Sequence, residues 1–423
     1  MKQQSSQWSL WIKRPVTGAL AGVLMFVVAI WAPSSAHAAT NSNAYVVNET
    51  DNTVTVINTT NNTVVTTIID SRLNTPDGAA MTPDGTKVYV ANAGNGTVSV
   101  ITTATNTISA TINAGLSANS APFGVATSPD GTRVYVADPG DNTVTVINTA
   151  NDTVVTTVLL APNSFPSALA VTPDNAHVYV ANTGTSNVSV ITAATNTVTA
   201  TVLLVPPGLG PQGVAITPDG QHVYIVNGSS NNVSVIATAT NTVSATVPVG
   251  NFPNQAAVTP DGAHVYVTNG ALSSNSVSVI ATATNTVSTT IPMPDFNSGP
   301  TGVAITLDGT QVYVTENLAN KLVVIATATN TVLPTIQVGQ NPLSVVVQPP
   351  ASAPVNNGCT DDDDDRKDHD GDQDRDGEHH RHHHHDRDND CDKQDRDHHD
   401  NDKDHHDDDH HDGDHDHEHD GDN

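Results

Sequence analysis

The chain has 423 residues and a formal net charge of −29, from 44 acidic and 15 basic residues. This balance argues against a general nucleic-acid-binding surface, which requires clustered positive charge. The two cysteines, Cys359 and Cys391, both lie near the C-terminal end. Their position excludes a disulfide scaffold or a cysteine-based zinc domain in the rest of the chain.

The first 38 residues are predicted to be a secretory signal peptide. Basic residues open the segment, residues 16–32 are apolar apart from Thr and Gly, and the segment ends at Ala38 in an A-x-A cleavage pattern. An uncleaved membrane anchor is the alternative, because this apolar run reaches the lower limit for spanning a bilayer. We therefore expect an exported protein, in the periplasm, outside the cell or on its surface, with no transmembrane span after cleavage.

A repeated unit fills the middle of the chain. Each copy is centred on a tyrosine, usually between two valines, and successive tyrosines are 42–47 residues apart. This period is typical of β-propeller blades with four strands each. Short runs rich in Val, Ile and Thr, with a period near two, support four strands per unit. The seven tyrosines are Tyr45, Tyr89, Tyr135, Tyr179, Tyr224, Tyr266 and Tyr313.

Two turns recur along the repeat array, the first in six copies and the second in all seven. The first has the form Thr-Pro-Asp-Gly, as at residues 82–85, and Asn175 takes the glycine position in one copy. Asn is the non-glycine residue that best tolerates a positive φ, so a left-handed conformation is predicted there. The second turn, as in Ala-Thr-Asn-Thr-Val, keeps Asn or Asp at one position. These residues are Asn62, Asn106, Asp152, Asn196, Asn241, Asn285 and Asn330.

The two ends of the repeat array complement each other. The first copy begins with a second strand, at Tyr45, and the last copy ends with a first strand at residues 343–347. Pairing these strands in one blade would leave no open sheet edge between the ends of the array. The sequence thus predicts an all-β fold: a seven-bladed β-propeller of four-stranded blades over residues 39–348, closed by strands from both termini. A Pro-rich linker (349–358) and a disordered C-terminal tail (359–423) follow.

The repeat resembles a known family. Val-Tyr-Val-Thr-Asn at residues 265–269, together with Val-Ser-Val-Ile and Ala-Thr-Asn-Thr-Val, is similar to the YVTN-repeat β-propellers, which are YncE-like. The resemblance covers residues 44–348 and implies secreted or surface proteins of bacteria and archaea. It implies the fold strongly and the function weakly, because propellers host both binding modules and unrelated enzymes. The tail lies outside the resemblance.

One face of the predicted propeller carries the more variable loops. The connections between blades and those between second and third strands share this face, called here the upper face. Its aromatic residues would surround the channel mouth and bind a protein, glycan or small ligand. Alternatively, each ring packs locally between two blades. These candidate residues are Phe123, Phe165, Phe252 and Phe296.

The ionisable residues noted on the upper face do not form a catalytic pattern. No histidine is among them, and nothing in the pattern nominates a base for a nucleophile. No catalytic residue is assigned, although a lactonase-like or other hydrolase with paired carboxylates stays open. The residues are Glu49, Asp51, Asp70, Arg72, Asp138, Asp141, Asp295, Glu316 and Lys321.

The tail has a chemistry of its own. Residues 359–423 hold 29 of the 44 acidic residues and 16 of the 20 histidines, and almost nothing apolar, so disorder is predicted. Imidazole nitrogens suit Zn, Ni and Cu, and carboxylates supply harder oxygen ligands. The spacing of the carboxylates also gives a weak indication of Ca binding. Multivalent divalent-metal binding is predicted, and an acidic brush that binds no metal is the alternative. The candidate ligands are His379, His380, His382, His383, His384, His385, Asp372, Asp374 and Asp376.

Cys359 and Cys391 are candidates for a disulfide in an oxidising compartment, with intermolecular pairing or metal ligation as alternatives. Together these features predict an exported, non-enzymatic binding or scaffold propeller with a metal-binding tail. Two alternatives remain: a lactonase-like or other hydrolytic enzyme at the Phe-bearing face, and a cell-surface structural or adhesion protein whose tail is a charged brush.

Overall fold

A computed structural model describes residues 42–115, 117, 119–204 and 208–349. The predicted signal peptide, most of the linker, the tail and both cysteines lie outside these residues. Within the described residues, no helix is long and apolar enough to cross a membrane.

The described chain forms seven antiparallel sheets, each beginning with a first strand at the channel and ending with a fourth strand at the rim. Blade 1 consists of β29 (Pro342–Val347), β1 (Asn43–Asn48), β2 (Thr53–Asn58) and β3 (Thr63–Ile69). Blade 2 consists of β4 (Pro76–Met81), β5 (Lys87–Asn92), β6 (Thr97–Thr102) and β7 (Thr107–Asn113). Blade 3 consists of β8 (Val125–Thr127), β9 (Arg133–Asp138), β10 (Thr143–Asn148) and β11 (Thr153–Leu159). Blade 4 consists of β12 (Pro166–Val171), β13 (His177–Asn182), β14 (Asn187–Thr192) and β15 (Thr197–Leu203).

The remaining blades follow the same order. Blade 5 consists of β16 (Pro211–Ile216), β17 (His222–Asn227), β18 (Asn232–Ala237) and β19 (Thr242–Pro248). Blade 6 consists of β20 (Pro253–Val258), β21 (His264–Asn269), β22 (Ser276–Ala281) and β23 (Thr286–Pro292). Blade 7 consists of β24 (Pro300–Ile305), β25 (Gln311–Glu316), β26 (Lys321–Ala326) and a fourth strand in two pieces, β27 (Thr331–Val332) and β28 (Ile336–Gln337). Pro334 lies between the two pieces, where it cannot donate a ladder hydrogen bond.

The predicted closure of the ring is confirmed. β29 pairs antiparallel with β1, with Val346 opposite Tyr45 and Val345 opposite Val46. The propeller therefore has no free sheet edge between the two ends of the array. In the described blades the first strand, at the channel, and the fourth strand, at the rim, each pair on one side only.

The core lies between neighbouring blades. Second and third strands are buried on both faces, so alternate residues along each strand pack against different neighbouring blades. In β1, Tyr45 and Val47 pack against Val88 and Val90 of blade 2, whereas the intervening side chains pack toward blade 7. Seven such apolar clusters form between the described blades. The short repeat thus builds a continuous core because each blade covers the faces of its two neighbours.

The predicted left-handed turn residues are confirmed. Asn175 has a φ of 59°, close to the 70° of Gly85 at the equivalent position. The Asn or Asp of the second turn is also left-handed in all seven described blades, as Asn62 (56°) and Asp152 (55°) illustrate. Asn is therefore the usual residue in this fold where the turn requires a positive φ together with a polar side chain.

The repeated tyrosine and the repeated turn residue contact each other across blades. In six of the seven described blades the buried tyrosine hydroxyl donates a hydrogen bond to the second-turn Asn or Asp of the following blade. In blade 3, the Arg133 guanidinium donates to Asn196 Oδ1 instead, over 3.2 Å. The six pairs, with donor–acceptor distances of 2.5–2.7 Å, are Tyr45–Asn106, Tyr89–Asp152, Tyr179–Asn241, Tyr224–Asn285, Tyr266–Asn330 and Tyr313–Asn62.

Candidate ligand-binding site in the central channel

A single position in each repeat forms the upper mouth of the central channel. It is the residue that follows the proline at or just before the start of each first strand. All seven of these side chains line one cavity of about 810 Å³. We call them the mouth ring. In the order of blades 1 to 7, they are Leu343, Asp77, Phe123, Ser167, Gln212, Asn254 and Thr301.

Local backbone structure turns these side chains into the channel. In six blades the first strand carries a β-bulge at the mouth position, as between Pro76 and Ala79 in β4 and between Pro211 and Gly213 in β16. A bulge interrupts the pleat and redirects the side chain. The preceding proline is buried in each blade and needs no hydrogen-bond partner for its nitrogen.

The loop before the proline is held by the preceding blade. The residue just before the proline is left-handed in six blades, including Phe165 (φ 45°) and Phe252 (φ 51°). Their backbone N–H groups donate to Asn142 Oδ1 over 2.9 Å and to Asn231 Oδ1 over 2.8 Å. Because these Asn residues belong to the second-to-third-strand turn of the previous blade, each blade positions the mouth residue of its successor.

Small residues allow the first strands to approach one another closely. A Cβ atom on Gly78 would lie 2.0 Å from the Phe123 carbonyl oxygen, and one on Gly302 would lie 2.5 Å from that of Leu343. Below the mouth ring the channel wall is mainly aliphatic, with Ala79, Val125 and Val303 among the lining residues. The cavity therefore combines an apolar shaft with a largely polar mouth.

Asp77 is the one ionisable residue among those that line this cavity. Its carboxylate forms no hydrogen bond with the described residues. Burial, and secondarily the charge of Glu49, raise the pKa of Asp77 to about 7. An unpaired carboxylate with a strongly raised pKa inside a cavity is a common signature of a functional site. Asp77 was not among the upper-face ionisable residues predicted from the sequence.

The other upper-face ionisable residues have structural partners. Arg72 forms a salt bridge with Asp70 over 2.6 Å, and Lys321 pairs with Asp295. The Arg72 side chain lowers the pKa of Asp70 to about 2 through their hydrogen bond. These pairs hold loops in place and do not line the channel.

Two of the acidic residues predicted for the upper face are buried. Asp138 and Glu316 occupy the position that is Asn in the other second strands, and both are almost completely buried. Ser298 Oγ donates to Glu316 Oε1 over 2.6 Å, and burial raises the pKa of Glu316. Both acids therefore fasten inter-blade loops.

The four candidate phenylalanines occupy different environments. Phe123 belongs to the mouth ring, whereas Phe165, Phe252 and Phe296 do not line the channel cavity. The exposed fraction of the four side chains is 37% for Phe123, 47% for Phe165, 48% for Phe252 and 89% for Phe296. Of the four, Phe123 alone lines the channel cavity, and its contact with a ligand stays a prediction. Local packing does not describe Phe296, since nearly all of its side chain faces solvent.

The histidines of the propeller do not converge. His177, His222 and His264 each begin a second strand next to the Pro-Asp-Gly turn, on the lower face. No group of three or more His, Cys, Asp or Glu side chains within the described residues could hold a metal ion. The predicted tail ligands, from Asp372 to His385, lie outside that part of the chain.

The family model described as "Lactonase, 7-bladed beta-propeller" matches residues 35–160 and 73–340. The chain belongs to this family. The two matched ranges overlap, as expected when a repeat aligns in more than one register. No curated protein matches the chain.

Two solved structures show the same fold at low sequence identity. Hydrazine synthase from Kuenenia stuttgartiensis is 20% identical, with a TM-score of 0.57; the match covers 64% of this chain and 88% of that one. A functionally unknown protein from Desulfotomaculum acetoxidans DSM 771 is 18% identical, with a TM-score of 0.61; the match covers 73% and 99% of the two chains. These similarities establish the fold alone.

Proposed function

We propose that the protein is an exported, non-enzymatic binding propeller whose ligand enters the upper mouth of the central channel. One observation carries this proposal: the seven mouth-ring residues are all of different types, whereas the blade tyrosine is the same in all seven copies. Positions that build a repeat fold are kept similar from copy to copy. A position at which every copy differs therefore points to contact with something that lacks sevenfold symmetry.

The chemistry of the mouth suits a ligand with several polar groups. Gln212 and Asn254 offer amides, and Ser167 and Thr301 offer hydroxyls, while Phe123 supplies an aromatic surface. Few precisely placed polar groups above an apolar wall are typical of ligand pockets, and the volume of about 810 Å³ lies in their usual range. The YVTN-type repeat supports a secreted or surface location for such a binding module.

Hydrolysis of a lactone is the second candidate, favoured by the family and by the raised pKa of Asp77. Asp77 could act as a general base near neutral pH. However, no second carboxylate lines the cavity, and none of the hydroxyl groups that line it forms a hydrogen bond with Asp77 as an activated nucleophile would. Binding is therefore the function that the site supports better.

A small-molecule fragment library, screened by thermal shift, tests the proposal. Gln212→Trp should fill the mouth and abolish the stabilisation that fragments give to the wild-type protein. Leu307→Trp is the matched control, because Leu307 is 61% exposed on the lower face. Hits that persist in Gln212→Trp would refute a site at the mouth. Measurable hydrolysis of glucono-δ-lactone that Asp77→Asn abolishes would favour the enzymatic alternative.

We further propose that the tail binds divalent metal through its histidine clusters. The support is compositional, since 16 histidines lie among 29 carboxylates in residues 359–423. Calorimetric titration of zinc into the full-length protein and into a chain ending at residue 349 should give heat only with the former. Equal heats would rule out a metal-binding tail and leave the charged-brush interpretation of an adhesion protein.

A further inference from the structure

The mouth ring is divided into two chemically different halves. Blades 4 to 7 contribute four consecutive neutral hydrogen-bonding residues: Ser167, Gln212, Asn254 and Thr301. Blades 1 to 3 contribute a carboxylate, Asp77, between two apolar residues, Leu343 and Phe123. A ligand that satisfies both halves must carry a positive group beside hydrocarbon on one side and polar groups on the other.

The groups available to a ligand are the Asp77 carboxyl on one side and the Gln212 amide on the other, since neither side chain forms a hydrogen bond with the described residues. The Ser167 hydroxyl, the Asn254 amide N–H and the Thr301 hydroxyl donate to backbone carbonyls. Gln212 packs over Gly228, where any Cβ would come within 2.8 Å of its amide carbon. The amide is therefore packed against the backbone at the mouth, while its hydrogen-bonding groups have no partner among the described residues.

We infer that the channel mouth binds the primary ammonium group of a ligand, with Asp77 as its counter-ion and Phe123 and Leu343 around the adjoining methylene groups. This inference rests on the proposed binding function and names its ligand class. An ammonium next to a carboxylate forms a charge-assisted hydrogen bond, and an aromatic ring beside it adds a cation–π contribution. The neutral half of the ring would receive amide or hydroxyl groups of the same ligand.

The electrostatic surroundings of Asp77 favour a cation. No Lys, Arg or His lines the cavity, and Asp77 is its one ionisable lining residue. The charged group that acts on Asp77 is Glu49, whose Oε2 accepts a hydrogen bond from Asn341 Nδ2. Two neighbouring carboxyl groups, with no basic residue among those that line the cavity, make the entry of an ammonium favourable, whereas an anionic ligand would be repelled.

Binding of an ammonium should also displace a proton. With a pKa of about 7, the free carboxyl is half protonated at neutral pH, and a bound cation stabilises its charged form. An alkylammonium itself keeps its proton up to about pH 10. Affinity should therefore rise about tenfold from pH 6 to pH 8, and level off above that, because Asp77 is the one ionisable residue that lines the cavity and the alkylammonium keeps its charge.

The test uses a matched pair of probes: Nα-acetyl-lysine N-methylamide, and the same compound acetylated at Nε. Calorimetry with the full-length protein should show binding of the charged probe alone, with the tenfold rise between pH 6 and pH 8. Asp77→Asn should weaken that binding at least tenfold and remove the pH dependence. Asp70→Asn is the control, because it removes one upper-face carboxylate that lies outside the channel.

Butylamine separates two sources of the ammonium group. Binding of the blocked lysine more than tenfold tighter than that of butylamine would assign the site to a lysine side chain of a peptide, and equal affinities would assign it to a free amine. Equal binding of both lysine probes, or full affinity in Asp77→Asn, would overturn the inference. Absence of any amine binding, together with fragment hits that still require an open mouth, would overturn it while leaving the proposed binding function intact.

Discussion

Tyr313 of blade 7 donates a hydrogen bond to Asn62 Oδ1 of blade 1 over 2.6 Å. Asn62 Nδ2 also donates to Gln311 Oε1 over 3.4 Å, so the turn is tied twice to the last blade. The same Tyr–Asn relationship recurs around the propeller, but here it joins segments that are 251 residues apart in the chain. It therefore contributes to ring closure together with the β1–β29 pairing.

Removing this hydrogen bond should loosen the closing interface. Tyr313→Phe should lower the free energy of unfolding by about 1 kcal/mol, because it leaves a partly buried acceptor without its donor. Asn62→Gly keeps the left-handed turn while removing the acceptor. The double variant should show a coupling energy of about 0.5–1.5 kcal/mol in urea unfolding, whereas simple additivity of the two single variants would contradict a direct bond.

Loss of β29, the first strand of blade 1, should open the ring. A chain that ends at residue 341 lacks β29 and exposes the edge of β1, whereas a chain that ends at residue 349 keeps all of β29. We expect a lower midpoint and a less cooperative transition in thermal unfolding for the shorter chain alone. Equal unfolding curves for the two truncations would show that β29 is dispensable for closure.

The left-handed phenylalanines should be strained. Phe252 has a φ of 51°, and glycine occupies the equivalent position at Gly210 and Gly299. A left-handed non-glycine residue costs roughly 1–2 kcal/mol. We therefore expect Phe252→Gly to be more stable than Phe252→Ala by about 1 kcal/mol, the reverse of the usual order within a strand. Chemical denaturation of the two variants measures this, and an Ala variant as stable as the Gly variant would argue against strain.

The buried carboxyl of Asp77 should make stability depend on pH. Its pKa is raised from 3.8 to about 7 in the folded protein, so the native state holds a proton that the unfolded chain has already released. Stability from this group is full below about pH 4 and is lost as the pH rises to 7. Asp77→Asn should therefore raise stability at pH 8 by at most about 4 kcal/mol, and have little effect at pH 4. Urea unfolding at both pH values measures it, with Asp70→Asn expected to show the opposite sign.

The control variant Asp70→Asn is expected to change stability in the opposite direction because Asp70 pairs with Arg72. Arg72 lowers the pKa of Asp70 to about 2, so this carboxylate stabilises the fold above the unfolded pKa and ceases to do so as the pH falls through 2. Because the Arg72 side chain is 42% exposed, solvent screens the pair and its contribution stays small. A gain in stability for Asp70→Asn at pH 8 would contradict this assignment.

Much of the fold could be predicted from the repeat. The spacing of Tyr45, Tyr89 and their equivalents indicated seven blades, and the strand at residues 343–347 indicated closure by both termini. Asn175 revealed a left-handed turn because few other residues tolerate one. These inferences succeeded because they depend on local backbone preference and on a pattern repeated seven times.

The candidate site was less accessible to sequence reasoning. Asp77 lies in a Pro-Asp-Gly triplet of the same letters as the lower-face turns, yet it belongs to a first strand at the upper mouth. A signal was present, since a proline followed by a different residue marks each first strand. Its meaning depends on bulges that turn these side chains into the channel, and bulges come from the pairing of first and second strands.

The sequence by itself therefore determined the number of blades, the way they close and the conformation of their turns, because each is encoded by a local preference repeated along the chain. Only the tertiary structure decided which residues meet at the channel. Asp77, Phe123 and Gln212 are separated by dozens of residues and come together because the ring places equivalent positions side by side. The raised pKa of Asp77 has the same origin, since burial and the nearness of Glu49 exist only in the closed propeller.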